Sequence, residues 1–342
     1  MTAMREARMI KSRLSRFRFK SLPLSFLTKR PELGAVIAVF LVWLAFSFTT
    51  KGKFLKLDNL AAIMSLTAEN GAVILGLMMA MISGVIDLSV GSVYAFGALF
   101  FVVFTQAIGQ SCVAAFVLIL CCAFVCGLIN GIITEHFNVP SMITTLGMMF
   151  VLRGVLYLAT GGFPRSFGSY HNIFFDVLAG RIGETPFRYS LFWLIGIALL
   201  AHLILFYTRF GNHIFATGGN PMLARLMGIN VSKIRITCFI ISSVLAAFGG
   251  IMSVARFRMV AVTHGEGLEL AAIAAAVTGG TLLRGGYGTV IGALMGATLI
   301  SSLRSGLLLS GVPGHWYIVF MGIILAIAAM INEGVWRKWL RK

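Results

Sequence analysis

Six polar residues lie inside long apolar runs or at their ends and are the candidates for chemistry: Glu69, Asn70, Asp87, Ser89, Arg153 and Glu269. A carboxylate near a bilayer centre costs at least about 2.5–3.5 kcal/mol, so such groups pair, face water, or lie near an interface. Each therefore has two readings, a pathway or gating residue and a structural partner. Asp87 follows Gly84 at the end of one apolar run, and Ser89 and Ser92 open the next. It can line a pathway, or it can accept the amide hydrogens of Ser89 and Val90 as a helix N-cap at a positive dipole end. A cap is compatible with a moving hinge. Glu69 and Arg153 need partners within a bundle, and a pair between them is one expectation. His136, His171, His202, His213, His264 and His315 form no His-x-x-x-His pair, so no metal site is expected. No Gly-x-x-x-x-Gly-Lys-Ser/Thr stretch occurs, so the chain cannot cradle ATP phosphates, and neither catalysis nor a cofactor is expected.

The elements that must position these residues follow from composition. Of 342 residues, 58% are hydrophobic and 11% charged, with mean hydropathy +0.94. Soluble domains carry roughly 25% charged residues, so a water-soluble fold is excluded. Apolar runs of bilayer length fall at 34–50, 60–83, 88–108, 111–133, 141–160, 189–207, 234–255, 268–283, 286–303 and 315–331. The fold class is all-α, a polytopic transmembrane bundle of about ten spans, with a short or broken glycine-rich pair near 268–303. Around the membrane-spanning body, 34–331, lie a basic arm, 1–33, and a basic tail, 332–342.

Lys and Arg number 28 against 11 Asp and Glu, a net +17. Nine of these cations lie in residues 1–30, which fits a cytoplasmic segment near anionic lipid and argues against a nucleic-acid partner. Internal loops do not decide the orientation. Arg209, Arg225, Lys233, Arg235 and Arg284 lie on one side, and Lys51, Lys53, Lys56, Arg165, Arg181, Arg188, Arg256, Arg258 and Arg304 on the other. The basic tails place both termini inside, with loop 161–188 outside and loop 208–233 inside. The five cysteines all lie in apolar runs and read as packing residues.

Within the inner loop, Asn220 suits an N-cap, Pro221 a first helical position and Gly228 a left-handed stop. Both ends of a helix of about two turns are thus specified. Met222, Leu223, Leu226 and Met227 share one face, with Arg225 on the other. So short a helix is unstable alone in water and needs a surface: a partner's groove, the lipid interface, or the end of the bundle. Gly279, Gly280, Gly285, Gly286, Gly288, Gly292 and Gly296 thin the eighth and ninth spans, and Gly288, Gly292 and Gly296 form one ridge for close helix packing.

Four ordered stretches carry a resemblance. They are Ser83-Gly84-Val85-Ile86-Asp87-Leu88-Ser89-Val90-Gly91-Ser92; Val139-Pro140-Ser141 through Thr145-Leu146-Gly147 and Arg153-Gly154; Ala216-Thr217-Gly218-Gly219-Asn220-Pro221 through Gly228-Ile229-Asn230-Val231; and Glu269-Leu270-Ala271-Ala272-Ile273 through Gly279-Gly280-Thr281 and Gly288. Together they resemble the inner-membrane permeases of ribose-type ABC importers, a group that includes permeases for xylose, galactose and the autoinducer-2 furanose. Val85 replaces a family glycine and Ala271 a family aspartate, which leaves Glu269 without an acidic neighbour there.

The resemblance implies import of a simple sugar across the bacterial inner membrane by alternating access. It implies three kinds of partner: an ABC ATPase gripping helix 220–228 (Asn220, Pro221, Met222, Leu223, Arg225, Leu226, Met227 and Gly228), a periplasmic sugar-binding protein, and a second permease, identical or sister. The alternatives are an ion-coupled transporter using Glu69, Asp87 or Glu269, and a membrane-embedded enzyme.

Overall fold

The structure is a computed structural model describing residues 32–109, 111–168 and 170–339. The expected basic arm lies outside the described residues except for its last two, and so do residues 340–342 of the tail. The helices are α1 (Glu32–Thr49), α2 (Leu57–Ile82), α3 (Val90–Ala107), α4 (Cys112–His136), α5 (Ser141–Thr160), α6 (Ile173–Ala179), α7 (Ser190–Tyr207), α8 (Arg209–Gly219), α9 (Pro221–Leu226), α10 (Val231–Phe257), α11 (Leu268–Thr278), α12 (Val290–Leu309) and α13 (Trp316–Trp339). The only strands among the described residues are β1 (Arg165–Ser166) and β2 (Met259–Val260), an antiparallel pair. The fold is an all-α polytopic bundle. Each of the ten expected spans corresponds to one helix.

Seven helices among the described residues, α2, α3, α4, α5, α7, α10 and α12, are long and apolar enough to cross a membrane, and α1, α11 and α13 contain shorter apolar stretches. The eighth span was expected to reach 283 but stops at Thr278. Gly280, Gly285 and Gly286 have φ of 94°, 88° and 80°, a left-handed backbone that glycine adopts at no steric cost and that cannot continue a right-handed helix. The last span was expected to end at 331, whereas α13 runs on to Trp339.

The hub is α10, which packs against α2, α3, α4 and α6. Helices meet there backbone to backbone: a Cβ on Gly250 would lie 2.0 Å from the Tyr94 carbonyl oxygen, and one on Gly127 2.6 Å from that of Phe239. Without a hydrophobic drive between helices in lipid, such small-residue contacts supply association through dispersion and close fit. Helices α2, α3, α10 and α12 are mostly buried, while α4, α5 and α7 turn most of their apolar surface outward. That outward surface is what lipid, or another membrane-embedded chain, would cover.

Candidate functional site: a buried polar layer and an exposed apolar face

Asp87 lies in the link between α2 and α3 and is fully buried. Its Oδ1 accepts from the Ser89 amide at 3.0 Å and from Ser89 Oγ at 2.6 Å, and its Oδ2 accepts from Ser242 Oγ of α10 at 2.9 Å. Asn130 Nδ2 of α4 donates to Ser89 Oγ at 3.0 Å. The carboxylate thus holds the chain just ahead of α3 through the amide of Ser89, the residue that precedes the first helical position, and is not itself the helix N-cap that one sequence reading had. Its second oxygen reaches across to α10 instead of taking the Val90 amide. Asp87 therefore ties three helices at one buried point. Asn130 and Ser242 escaped the sequence reading, because each is a small uncharged polar side chain within an apolar run.

The expected Glu69–Arg153 pair does not form. Glu69, 1% exposed at its side chain, takes Arg256 in a two-pronged ion pair, Nε to Oε1 at 2.5 Å and Nη2 to Oε2 at 3.0 Å. Arg256 lies in the last turn of α10, just past the expected end of that span, and reaches Glu69 on α2 from the adjacent helix. Arg153 on α5 instead donates to the carbonyl oxygens of Val262 and His264, at 2.7 and 3.2 Å. It pins the connection between α10 and α11. His264 in that connection stacks on Tyr94 and bonds Ser253 Oγ at 3.0 Å. Burial pushes its imidazole down to about 4, helped by the nearby cations Arg304, Arg256 and Arg153. The ring therefore stays neutral at physiological pH. Asn70 is partly buried beside Glu69 on α2. Glu269, in the first turn of α11, has one buried oxygen, Oε2, without a hydrogen bond, facing the Cα of Gly91. The position of the missing acid, Ala271, is buried in the packing of α11.

Glycines fit the expected ridge in part. A Cβ on Gly292 or Gly296 would lie 1.9 or 2.0 Å from the carbonyl oxygen of Gly279 or Ala275, so α11 and α12 touch through their backbones. At Gly288 the neighbour is instead the flexible end of Ile82, at 2.8 Å.

The second locus is the end of the bundle formed by α8, α9 and the links before α3, α5 and α12. Asn220 Oδ1 accepts from the amides of Met222 and Leu223 at 3.0 and 3.1 Å, Pro221 opens the helix, and Gly228 follows it with φ 80°. Met222, Leu223, Leu226 and Met227 are 72%, 57%, 74% and 82% exposed, whereas Ala224 is buried against the bundle. Four large apolar side chains thus point away from the protein on a helix held from behind. Beside them lies a cleft of about 270 Å³ lined by Arg225, Arg235, Glu135, Asn138, Pro140 and Ser141, among others. At its floor Arg235 Nη1 pairs with Glu135 Oε1 at 3.0 Å, and Arg235 Nε donates to the Ser83 carbonyl at 3.3 Å.

Residues 59–329 match the family described as branched-chain amino acid transport system, permease component. The ribose import permease protein of Escherichia coli K12 is 35% identical over 306 residues, 88% of this chain and 94% of that protein. The galactose/methyl galactoside import permease protein of the same strain is 32% identical over 325 residues, covering 90% and 96%. The xylose/arabinose import permease protein of Sulfolobus acidocaldarius is 30% identical over 311 residues, covering 89% and 85%.

Proposed function

The chain belongs to this family of ABC-importer permease components, and from that premise we propose that it moves a simple sugar, a pentose, hexose or related furanose, across the bacterial inner membrane. It is a transport subunit and not an enzyme. Its partners are an ATPase and a substrate-binding protein, and a second permease copy or sister completes the pore.

The observation that carries the reading is helix α9. Its fold is set by its own caps, its inner side rests on the bundle, and its apolar stripe faces outward. An amphipathic helix of this kind fits a groove in another protein. The ATPase supplies that groove, so α9 lies in the cytoplasm, and Arg225 stands at the edge of the contact. Glu69, Asn70, Asp87, Ser89, Arg153 and Glu269 then serve gating: Asp87 through α3, Arg153 through the connection ahead of α11. For an ion-coupled mechanism only Glu269 of the three candidate acids has an unpaired buried oxygen, since both oxygens of Glu69 are taken by Arg256 and both of Asp87 by serines, and the relatives are import permeases for sugars.

The test is reconstitution. Proteoliposomes holding this chain with its ATPase and binding protein accumulate labelled D-ribose, D-galactose or D-xylose only with ATP, and the chain alone accumulates none. Leu226→Asp leaves the chain inserted and abolishes co-purification of the ATPase. Accumulation by the chain alone would end the reading, and normal co-purification of Leu226→Asp would remove α9 as the docking element.

A further inference from the structure

Three separate pieces of backbone meet at one point behind α9. The first is the end of α2, with Ile82, Ser83 and Gly84. The second is the end of α8, Gly218 and Gly219, immediately before the Asn220 cap. The third is the turn between α11 and α12, with Gly285 and Gly286. At Gly218, Gly285 and Gly286 these contacts leave no room for a side chain. A Cβ on Gly218 would lie 1.7 Å from the Ile82 carbonyl oxygen, one on Gly285 2.9 Å from Gly84 Cα and 3.1 Å from Gly218 Cα, and one on Gly286 2.8 Å from Gly219 Cα. The Gly286 amide donates to that same Ile82 oxygen at 2.8 Å. Arg235 closes the junction from α10 through the Ser83 carbonyl.

We propose that this glycine junction is the positioning element that carries displacement of α9 into the membrane, by moving the α2–α3 and α11–α12 links together. The inference rests on the reading of α9 as the docking element. The physical ground is stiffness. Side chains at an interface absorb small shifts by changing rotamer, and backbone in direct contact has no such slack. The Asn220 cap and Pro221 fix α9 to Gly219 with no intervening loop. Each link driven by the junction opens a long helix: the first contains Asp87 and leads into α3, and the second leads into α12. Gly218 and its partners are therefore positioning residues that touch neither sugar nor nucleotide.

The experiment uses the full complex with its ATPase, in a chain cleared of native cysteines, with Arg284→Cys as a reporter on the α11–α12 turn. A water-soluble maleimide reads its labelling rate with and without trapping by ATP and vanadate. Trapping is expected to change the rate by at least about threefold. Gly218→Ala abolishes that change while ATP hydrolysis continues. Gly219→Ala keeps it, because a Cβ there meets nothing within 4 Å. Should Gly218→Ala fail to assemble, Gly84→Ala takes its place: a Cβ there would meet Arg235 and Gly218 only from 3.4 Å outward, but the φ of 88° strains any side chain, so the link must shift away from the junction. This variant is expected to reduce the change. A rate that trapping does not alter, or an undiminished change in Gly218→Ala or in the Gly84→Ala that replaces it, overturns the proposal. Failure of the docking reading shows separately, as ATPase retained by Leu226→Asp.

Discussion

At the scale of single residues, the buried Glu69–Arg256 pair joins α2 to α10. Glu69 and Arg256 lie 187 positions apart and satisfy each other with two hydrogen bonds. Removing one member of such a pair leaves an uncompensated buried charge, which costs about 3–5 kcal/mol, whereas replacing both with apolar groups can be nearly neutral. Arg256→Met is therefore expected to lower the thermal stability of the detergent-solubilised protein sharply, and Glu69→Met with Arg256→Met to recover most of it. A double variant as unstable as the single one would mean that Glu69 has an independent task, such as lining the pathway. The candidates themselves were legible as polar residues in apolar runs, and so was the bond between Asp87 and the Ser89 amide, which lies only two positions away. The partner of Glu69 was not legible. Hydropathy says that a buried acid needs a cation, but the choice among Arg153, Arg188 and Arg256 depends on which helices are adjacent and which faces they turn to each other.

At the scale of elements, positions were more legible than ends. Apolar runs locate spans because the bilayer sets one length for all of them. They cannot say where α11 stops, because Leu282 and Leu283 read as span but belong to a turn bent by its glycines. Helix α9 was legible for the opposite reason: its cap, first-turn proline and stop are all local. Its exposed stripe has a cost that the cap offsets. Asn220→Ala removes the acceptor for two amides, which typically costs about 1 kcal/mol, on a helix too short to persist unaided. The expected result is faster amide hydrogen exchange over residues 222–227 and weaker ATPase retention, with the transmembrane helices still protected. Unchanged exchange across this stretch would show that packing on the bundle, and not the cap, holds α9 in shape.

At the scale of the whole molecule, the contacts sort the links into two ends. The links before α3, α5 and α12 gather with α8, α9 and Asn332 of α13, through the Gly286 amide to the Ile82 carbonyl, the Ile86 amide to Ser141 Oγ and Asn332 Nδ2 to the Thr281 carbonyl. At the opposite end, β1 pairs with β2, and Arg258 lies over Phe175 and faces Asp176. Loop cations are more numerous at this second end, which on charge counting alone would place it inside. Several of them are committed to internal contacts, however: Arg256 to Glu69, Arg258 to Phe175, and Arg188 to the Ala179 carbonyl. A partner that uses cytoplasmic ATP can grip α9 only if the first end is cytoplasmic. In a chain without native cysteines, Met227→Cys is thus expected to react with a membrane-impermeant maleimide only in inverted vesicles, and Ile173→Cys only in intact cells. Both side chains are well exposed, at 82% and 76%, so reactivity reports sidedness and not burial. The reverse pattern would put the apolar stripe of α9 out of reach of any ATP-driven motor, and the transport mechanism proposed for this chain would fall with it.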